Sequence, residues 1–358
     1  MAQLTPPPSA LYTCDQLMAG YLPDDVHSIA RTFTFEQYLA FEPYKASGIL
    51  DRDGLAAIGA HDARINQLLL DYLYAPDTPQ KIVGMMGGHS VGRSTAAYAD
   101  LADLARFLSQ RDYLIVTGGG PGLMEAGHLG AYCRALEDTA WDAIKGRLRE
   151  IRPGSDQDIV PNADPSPDPA AERLTLAQKQ GLHRWYQYGA TLREVVSTEP
   201  GKSLAISTWQ YGTEPVMPLA TIYACYFQNS IRESQLVRES RAGIIYGRGG
   251  GGTLREIWQD LEENYYVKRR EELTPMIFFD ADKVWGDLNS NGTKPLDIFG
   301  TILRVMNTAH GKHDFSWEDK IVATTAHEKI LGLLDKHVEV SQRKKDVEAF
   351  RMRSAQIV

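Results

Sequence analysis

Cysteine, surplus basic charge and long apolar runs are all scarce in this sequence, and each shortage excludes a class of protein. Only three of the 358 residues are cysteines, and Cys14, Cys133 and Cys225 lie far apart. An odd number of distant cysteines argues against a disulfide framework and a zinc site, and indicates a reducing compartment. Asp and Glu (46) outnumber Lys and Arg (38), which gives a formal net charge of -8 without a basic block. We therefore expect no nucleic-acid polymer as a partner, whereas a small anion held by local backbone dipoles is compatible.

The sequence also lacks the features of a membrane or secreted protein. No apolar stretch approaches the roughly 20 residues that a helix needs to cross a bilayer. The first eight residues, Met-Ala-Gln-Leu-Thr-Pro-Pro-Pro, have neither the basic start nor the apolar core of a signal peptide. We expect a cytoplasmic protein with no membrane partner.

Strand-like and helix-like segments alternate through the middle of the chain. Short apolar runs with the length of buried strands occupy residues 81–86, 113–116, 203–207, 242–246 and 276–279. Their alternation with helical patterns predicts an α/β fold, a Rossmann-like doubly wound parallel sheet. Outside these strands, the spacing of apolar residues predicts helices over 51–74 and over 219–238.

The pattern divides the chain into three parts. We expect a mainly helical N-terminal extension over 1–80, a Rossmann-like domain over 81–280 and a helical C-terminal extension over 281–358. Prolines mixed with Asp and Ser predict an irregular insertion, flanked by helices, within about 136–202. A charged last helix, over about 324–353, favours a homo-oligomer, either a dimer or a larger assembly.

The most informative segment is residues 247–256, Gly-Arg-Gly-Gly-Gly-Gly-Thr-Leu-Arg-Glu, which follows a strand pattern and opens a helix pattern. Consecutive glycines let the backbone approach a ligand, and the free N–H groups and dipole of a helix start attract a phosphate. Glu256 lies one turn inside, where its carboxylate would repel that phosphate. Either Glu256 faces a neighbouring sugar as a catalytic group, or it is an ordinary helix-start glutamate stabilised by the dipole.

Glycine turns follow three of the predicted strands, after Met86, Val116 and Tyr246. In a doubly wound sheet such turns face one crevice at the carboxyl ends of the strands. The first turn lacks the Gly-x-Gly-x-x-Gly spacing of an NAD site, and the second strand ends without the acidic residue that binds a ribose hydroxyl. No Lys-Ser or Lys-Thr follows any of the turns, which argues against a Walker-type NTPase.

Two of these glycine segments carry a family resemblance. Residues 247–256 resemble the Pro-Gly-Gly-x-Gly-Thr-x-x-Glu signature of the LOG (Lonely Guy) family, once misnamed lysine decarboxylases, with Arg248 in the proline position. Residues 117–126 resemble the Gly-Gly-Gly-x-Gly-(Leu/Ile)-Met segment of the same family. A weaker match is residues 229–233, where Arg232 fits the arginine of an Arg-Lys pair and Glu233 replaces the lysine. The resemblance spans about residues 81–279.

The resemblance implies a function and a set of site residues. LOG proteins are phosphoribohydrolases, which cleave a nucleoside 5′-monophosphate into free base and ribose 5-phosphate without a metal or other cofactor. Glu256 and Arg232 would then be catalytic. The implied phosphate and ribose contacts are Gly118, Gly119, Gly120, Gly249, Gly250, Gly251, Gly252 and Thr253. Further candidate ligand contacts are Gly88, His89, Ser90 and Arg248.

Other interpretations of these residues remain open. The crevice would also suit a non-catalytic carrier for a phosphorylated cofactor of the molybdopterin kind, or a nucleotide sensor. Arg232 is alternatively a surface arginine paired with Glu233 or Glu239, and Glu125 is expected to be a first-turn helix residue rather than a second catalyst. Candidates for base stacking are Trp209, Tyr211 and Tyr226, although each also suits buried packing.

Overall fold

The structure is a computed structural model that describes residues 3–45, 51–75, 77–78, 81–161, 174–196, 200–211, 216–279, 284–286, 297–311 and 316–338. Within these residues seven strands form one all-parallel sheet. They are β1 (Lys81–Met86), β2 (Tyr113–Thr117), β3 (Ser203–Thr208), β4 (Ile222–Tyr226), β5 (Gly243–Tyr246), β6 (Met276–Phe278) and β7 (Ile321–Ala323). The expected α/β, doubly wound, Rossmann-like fold is thereby confirmed.

The strands are continuous apolar runs because a parallel sheet is covered by helices on both faces. Every residue of β2 and β5 is buried, for example. The strand order is β4-β3-β2-β1-β5-β6-β7. Strands β2, β3 and β4 therefore lie on one side of β1, and β5, β6 and β7 lie on the other. The order therefore reverses between β1 and β5, where a doubly wound sheet opens a crevice at its carboxyl edge.

Helices connect and flank the strands. They are α1 (Cys14–Leu17), α2 (Phe33–Lys45), α3 (Arg52–Leu73), α4 (Ala96–Ser109), α5 (Leu123–Tyr132), α6 (Asp138–Arg149), α7 (Leu176–Glu194), α8 (Asn229–Glu239), α9 (Gly251–Tyr266), α10 (Ile298–His310) and α11 (His327–His337). No helix in the described ranges combines the length and hydropathy that crossing a membrane requires.

The N-terminal segment packs on the edge of the sheet that β4 forms. The backbone N–H and C=O groups of Tyr12 pair with those of Tyr223, both at 2.9 Å. Asp62, buried on α3, accepts hydrogen bonds from the backbone N–H groups of Phe227 (3.0 Å) and Gln228 (2.9 Å). These two groups precede α8, which has no side-chain cap of its own at Gln228. Asp62 therefore supplies acceptors to the start of α8 from a distant part of the chain.

Two secondary-structure predictions were wrong. Residues 219–238 do not form one helix, because Ile222–Tyr226 is strand β4 and α8 begins only at Asn229. The C-terminal part, expected to be helical, contributes strand β7. Both strands are short, and a short buried apolar run has no periodicity that separates a strand from a helix.

Three other helix predictions agree with the structure where it describes them. Helix α3 lies within one residue of its expected bounds, and α6 and α7 flank the proline-rich insertion. The middle of that insertion, residues 162–173, lies outside the described residues, as does the end of the expected charged helix, 339–353. The division into three parts remains a prediction.

Candidate functional site

The first and third glycine turns are joined by backbone hydrogen bonds at the switch point. Gly247 donates to the carbonyl oxygen of Met86 (2.9 Å), and Gly88 donates to that of Arg248 (2.8 Å). The second turn joins them through Leu123, whose N–H donates to the carbonyl oxygen of Gly88 (3.2 Å). The three turns therefore form one connected wall rather than three separate loops.

A cavity of about 280 Å³ opens along this wall. Residues from all three glycine turns, from α5, α8 and α9, and from the turn that follows β3 line it. They are Gly87, Gly88, His89, Ser90, Gly118, Gly120, Met124, Tyr211, Arg232, Glu233, Gly250, Gly251, Gly252, Thr253 and Glu256. The structure thus brings together most of the site residues that the sequence predicts.

The start of α9 lines this cavity through Gly250, Gly251, Gly252 and Thr253. Gly250 is the N-cap residue and provides no side-chain acceptor for the first helical N–H groups. A methyl group built on Gly250, Gly251 or Gly252 would meet no atom within 4 Å in the described structure. Packing of the protein therefore does not demand glycine at these three positions. Their small size keeps the space beside the amides open, as a bound anion requires.

Gly249 and Gly118 have a different reason to be glycine. A methyl group on Gly249 would lie 2.2 Å from Oγ1 of Thr253. A methyl group on Gly118 would lie 3.1 Å from Nη1 of Arg232 and 3.0 Å from Sδ of Met124. Glycine at these positions lets Thr253 and the guanidinium group of Arg232 approach the turns closely.

Arg232 and Glu256 form a buried ion pair on the cavity wall. Nη1 of Arg232 lies 3.2 Å from Oε1 of Glu256, and the two side chains are only 7% and 8% exposed. Nε of Arg232 is buried as well, and makes no hydrogen bond within the described part of the chain. The guanidinium group thus has hydrogen-bonding capacity beyond its contact with the carboxylate.

The environment of Glu256 favours its neutral form. Burial raises the pKa of its carboxyl group from 4.5 to about 7, Arg232 opposes this shift, and the charge of Glu233 adds to it. Asp260, one turn further along α9, has a pKa raised to about 8 by burial, although its hydrogen bond from the Tyr246 hydroxyl (2.8 Å) acts in the opposite direction. Glu256 alone of these two lines the cavity.

Glu233 also lines the cavity and belongs to a polar chain with Tyr211. Nδ2 of Asn229 donates to Oε1 of Glu233 (2.8 Å) and to the hydroxyl oxygen of Tyr211 (2.9 Å). Nε of Arg255, on the outer side, lies 2.8 Å from Oε2 of Glu233. Asn229 thus fixes the carboxylate and the Tyr211 hydroxyl relative to each other.

A buried histidine, His128, supports the second glycine turn through Thr117. Nε2 of His128 lies 2.8 Å from Oγ1 of Thr117, and Nδ1 lies 2.9 Å from Oγ of Ser203. Burial lowers the pKa of His128 to about 3, so the ring is neutral. Oγ1 of Thr117 also accepts a hydrogen bond from the N–H of Gly119 (2.9 Å). This chain supports Gly119, whose φ of 74° suits glycine.

The remaining predicted residues are distributed around the cavity. His89 and Ser90 are exposed at its rim, whereas the exposed Arg248 is outside the lining and contributes its backbone carbonyl to the turn. Gly119 lines a smaller neighbouring cavity of about 60 Å³, which shares Gly118, Gly120 and Tyr211 with the first.

Among the stacking candidates, Tyr211 is the one with an exposed ring. It is 52% exposed and lines both cavities. Trp209 lines only the smaller cavity and is buried against Tyr12 and Phe33. Tyr226 is fully buried and donates to Asn66.

Glu125 forms a buried ion pair with Arg93. It is fully buried in the first turn of α5, where Nη2 of Arg93 lies 2.6 Å from its Oε1. Arg93 also donates to the carbonyl oxygens of Gln157 (2.9 Å) and Trp185 (3.0 Å). This buried pair links α5 to the insertion, and it is outside the lining of the cavity. Nothing in the local sequence pairs residues 93 and 125.

Comparisons with protein families and with curated proteins identified no relative of this chain. No protein-family model matches the chain, and a search of the curated proteins found no significant match. Within the described ranges, no three His, Cys, Asp or Glu side chains come together as metal ligands.

Proposed function

We propose that this protein hydrolyses the N-glycosidic bond of a nucleoside 5′-monophosphate and releases free base and ribose 5-phosphate. The observation that carries the proposal is the buried Arg232–Glu256 pair, which faces the same cavity as the open glycine start of α9. The glycine start of α9 and a carboxylate with a raised pKa lie about one helical turn apart on the same helix. Buried titratable groups with shifted pKa values are typical of catalytic sites.

The cavity offers separate places for the 5′-phosphate and for the base of such a substrate. The N–H groups at the start of α9, with the side chain of Thr253, would hold the 5′-phosphate. The sugar would then lie beside Glu256, and the base would extend past Tyr211 toward the smaller cavity. The volume of about 280 Å³ is just below the roughly 300–1,000 Å³ typical of small-molecule sites, which favours a mononucleotide over a dinucleotide.

The reaction follows from the charges in this arrangement. As the bond from C1′ to the base nitrogen breaks, its electron pair leaves with the base and positive charge develops on C1′ and the ring oxygen. The carboxylate of Glu256 stabilises that charge, and accepts a proton from the water whose oxygen bonds to C1′. The departing base takes up a proton from solvent water and Glu256 releases its proton to solvent, so the sum is one nucleoside monophosphate plus one water giving free base and ribose 5-phosphate. Arg232 holds Glu256 in place and favours its ionised form against the effect of burial.

A carrier of a phosphorylated cofactor is the alternative, and the charges of the site distinguish the two. A carrier gains nothing from a buried carboxylate next to its bound anion, because the like charges repel. A hydrolase requires that carboxylate. The arrangement therefore favours catalysis over storage or sensing.

Location and assembly form part of the same proposal. The buried, unpaired cysteines at positions 14, 133 and 225 suit a reducing compartment such as the cytoplasm. Large aromatic side chains at Trp258, Tyr265 and Tyr266 are exposed on α9 and offer an apolar surface to a second copy of the chain. We propose a cytoplasmic homo-oligomer whose partner is a small nucleotide.

The test is incubation of the purified protein with a panel of nucleoside 5′-monophosphates and the matching nucleosides. We expect free base and ribose 5-phosphate in equal amounts from at least one monophosphate, and far slower release from its nucleoside, because the phosphate organises the sugar. We expect turnover to continue in EDTA. Tight binding of a nucleotide without release of base would favour the carrier. Equal rates on nucleoside and monophosphate would contradict the phosphate site.

A further inference from the structure

Glu233 is a second buried carboxylate on the wall of the cavity, and the proposed reaction assigns it no role. Its side chain is 2% exposed. In the family that the motifs resemble, this position holds lysine, so the change reverses the charge beside the ligand. A buried carboxylate is stable only when donors surround it. Here Asn229 and Arg255 provide the contacts within the described residues.

These contacts leave acceptor capacity toward the ligand. An ionised carboxylate is acceptor-only and has about four lone-pair positions. Oε1 uses one of them for Asn229. Oε2 faces Arg255 as an ion pair, but makes no hydrogen bond within the described structure although it is buried. Because Glu233 lines the cavity, a ligand bound there can supply further donors to its carboxylate.

The ligand group that Glu233 faces must be a neutral or positive donor. A phosphate is excluded by charge repulsion, and the glycine start of α9 provides a better site for it. Glu233 follows Arg232 on α8, and Arg232 contacts Glu256, which the proposed mechanism puts at C1′ of the sugar. The hydroxyl groups on the neighbouring sugar carbons are therefore the nearest donors in the proposed substrate.

We propose that Glu233 accepts hydrogen bonds from the 2′ and 3′ hydroxyl groups of ribose and makes the site selective for ribonucleotides over 2′-deoxyribonucleotides. The inference rests on the proposed function. The same chemistry operates in dinucleotide-binding Rossmann folds, where an acidic residue binds a ribose hydroxyl. Asn229 is a positioning residue, because it holds both the carboxylate and Tyr211.

Binding is a cleaner test than turnover, because removal of a 2′ hydroxyl changes the intrinsic stability of the sugar cation. The probes are ribose 5-phosphate and 2-deoxyribose 5-phosphate, titrated by calorimetry at pH 8. The proteins are the wild type, Glu233→Gln and the control Glu262→Gln, which changes an exposed glutamate on α9. Removing the charge of Glu233 should also strengthen binding of both sugar phosphates, because it removes repulsion between like charges. The ratio of their affinities cancels this shared effect.

We expect the wild type and Glu262→Gln to bind ribose 5-phosphate on the order of tenfold or more tightly than the deoxy sugar, as for a hydrogen bond to a charged group. In Glu233→Gln this ratio should fall about fivefold, because a neutral acceptor is weaker. Equal binding of both sugars by the wild type, or an unchanged ratio in the variant, would overturn the inference but leave the proposed function intact. If folded wild-type protein binds neither sugar phosphate, the proposed function fails as well.

Discussion

In the proposed mechanism Glu256 acts as a carboxylate, and burial disfavours that charged form. Desolvation and Glu233 raise its pKa, and Arg232 only partly reverses the effect. Activity that depends on the carboxylate should therefore fall as pH drops below about 7. The site holds a carboxylate that is unfavourable for stability, which is common where function requires it.

Because burial raises the pKa of Glu256, we expect Glu256→Gln to change how the free energy of unfolding depends on pH. Between the ordinary pKa of 4.5 and the raised value of about 7, the folded protein keeps a proton that the unfolded chain releases, so rising pH removes stability from the wild type. Glutamine does not titrate. The free energy of unfolding of the variant, relative to wild type, should therefore rise by up to about 3 kcal/mol between pH 4.5 and pH 8.

Urea unfolding of both proteins at the two pH values measures this difference. Glu262→Gln, an exposed change on the same helix, is the control and should show nearly the same difference at both pH values. A pH-independent difference for Glu256→Gln would mean that the carboxyl group is not held in the environment described here.

At the residue scale, the glycine segments and Glu256 were predictable because glycine spacing after a strand has a direct physical meaning. In the sequence, Glu233 stands out only by its departure from the LOG motif that the segment resembles, and its contact with ribose is a proposal. The Arg93–Glu125 pair was not predictable, because its partners are 32 positions apart and a buried ion pair leaves no local pattern. Arg248 remains a candidate ligand contact whose exposed side chain lies outside the cavity lining.

At the scale of elements, α9 combines a helix start without a side-chain cap and a run of glycines that packing does not require. In an isolated helix this would be a weakness, because glycine disfavours helix and uncapped N–H groups need partners. A bound phosphate would supply those partners.

Gly252→Ala separates these two effects. The new methyl group meets no protein atom within 4 Å, so the variant should be as stable as wild type or more stable by up to ~1 kcal/mol. Its affinity for ribose 5-phosphate should fall several-fold, since the methyl group enters the space beside the helix start. Gly146→Ala, in open space on α6, is the matched control and should leave affinity unchanged. Thermal unfolding measures the stability of both variants, and calorimetry measures their affinity for ribose 5-phosphate. Unchanged affinity in Gly252→Ala would contradict the proposed phosphate site.

Prediction at this scale succeeded for strands followed by glycine turns and failed for β4 and β7. Strand β4 has the sequence Ile-Tyr-Ala-Cys-Tyr and continues into α8 after two residues, so the segment resembles one long helix. Its strand state is set by pairing with β3 and by the backbone contact of Tyr12, both of which depend on tertiary structure.

At the scale of the whole molecule, the site depends on parts of the chain far apart in sequence. Asp62 on α3 holds the start of α8, which carries Arg232 and Glu233. The sheet reversal between β1 and β5 brings the first and third glycine turns into hydrogen-bonding contact. The fold class followed from the alternation of elements, whereas the contribution of the N-terminal segment to the site did not, because it is a long-range contact.

The central claim is that the Glu256 carboxylate is catalytic. The most direct test measures both the turnover and the ligand affinity of Glu256→Gln. On the best nucleoside monophosphate, the release of ribose 5-phosphate should fall on the order of a hundredfold or more, because the charge that stabilises the sugar cation is lost. Affinity for ribose 5-phosphate, measured by calorimetry, should stay within a few-fold of wild type, since the shape is preserved. A glutamine variant that releases ribose 5-phosphate at the wild-type rate would contradict the account.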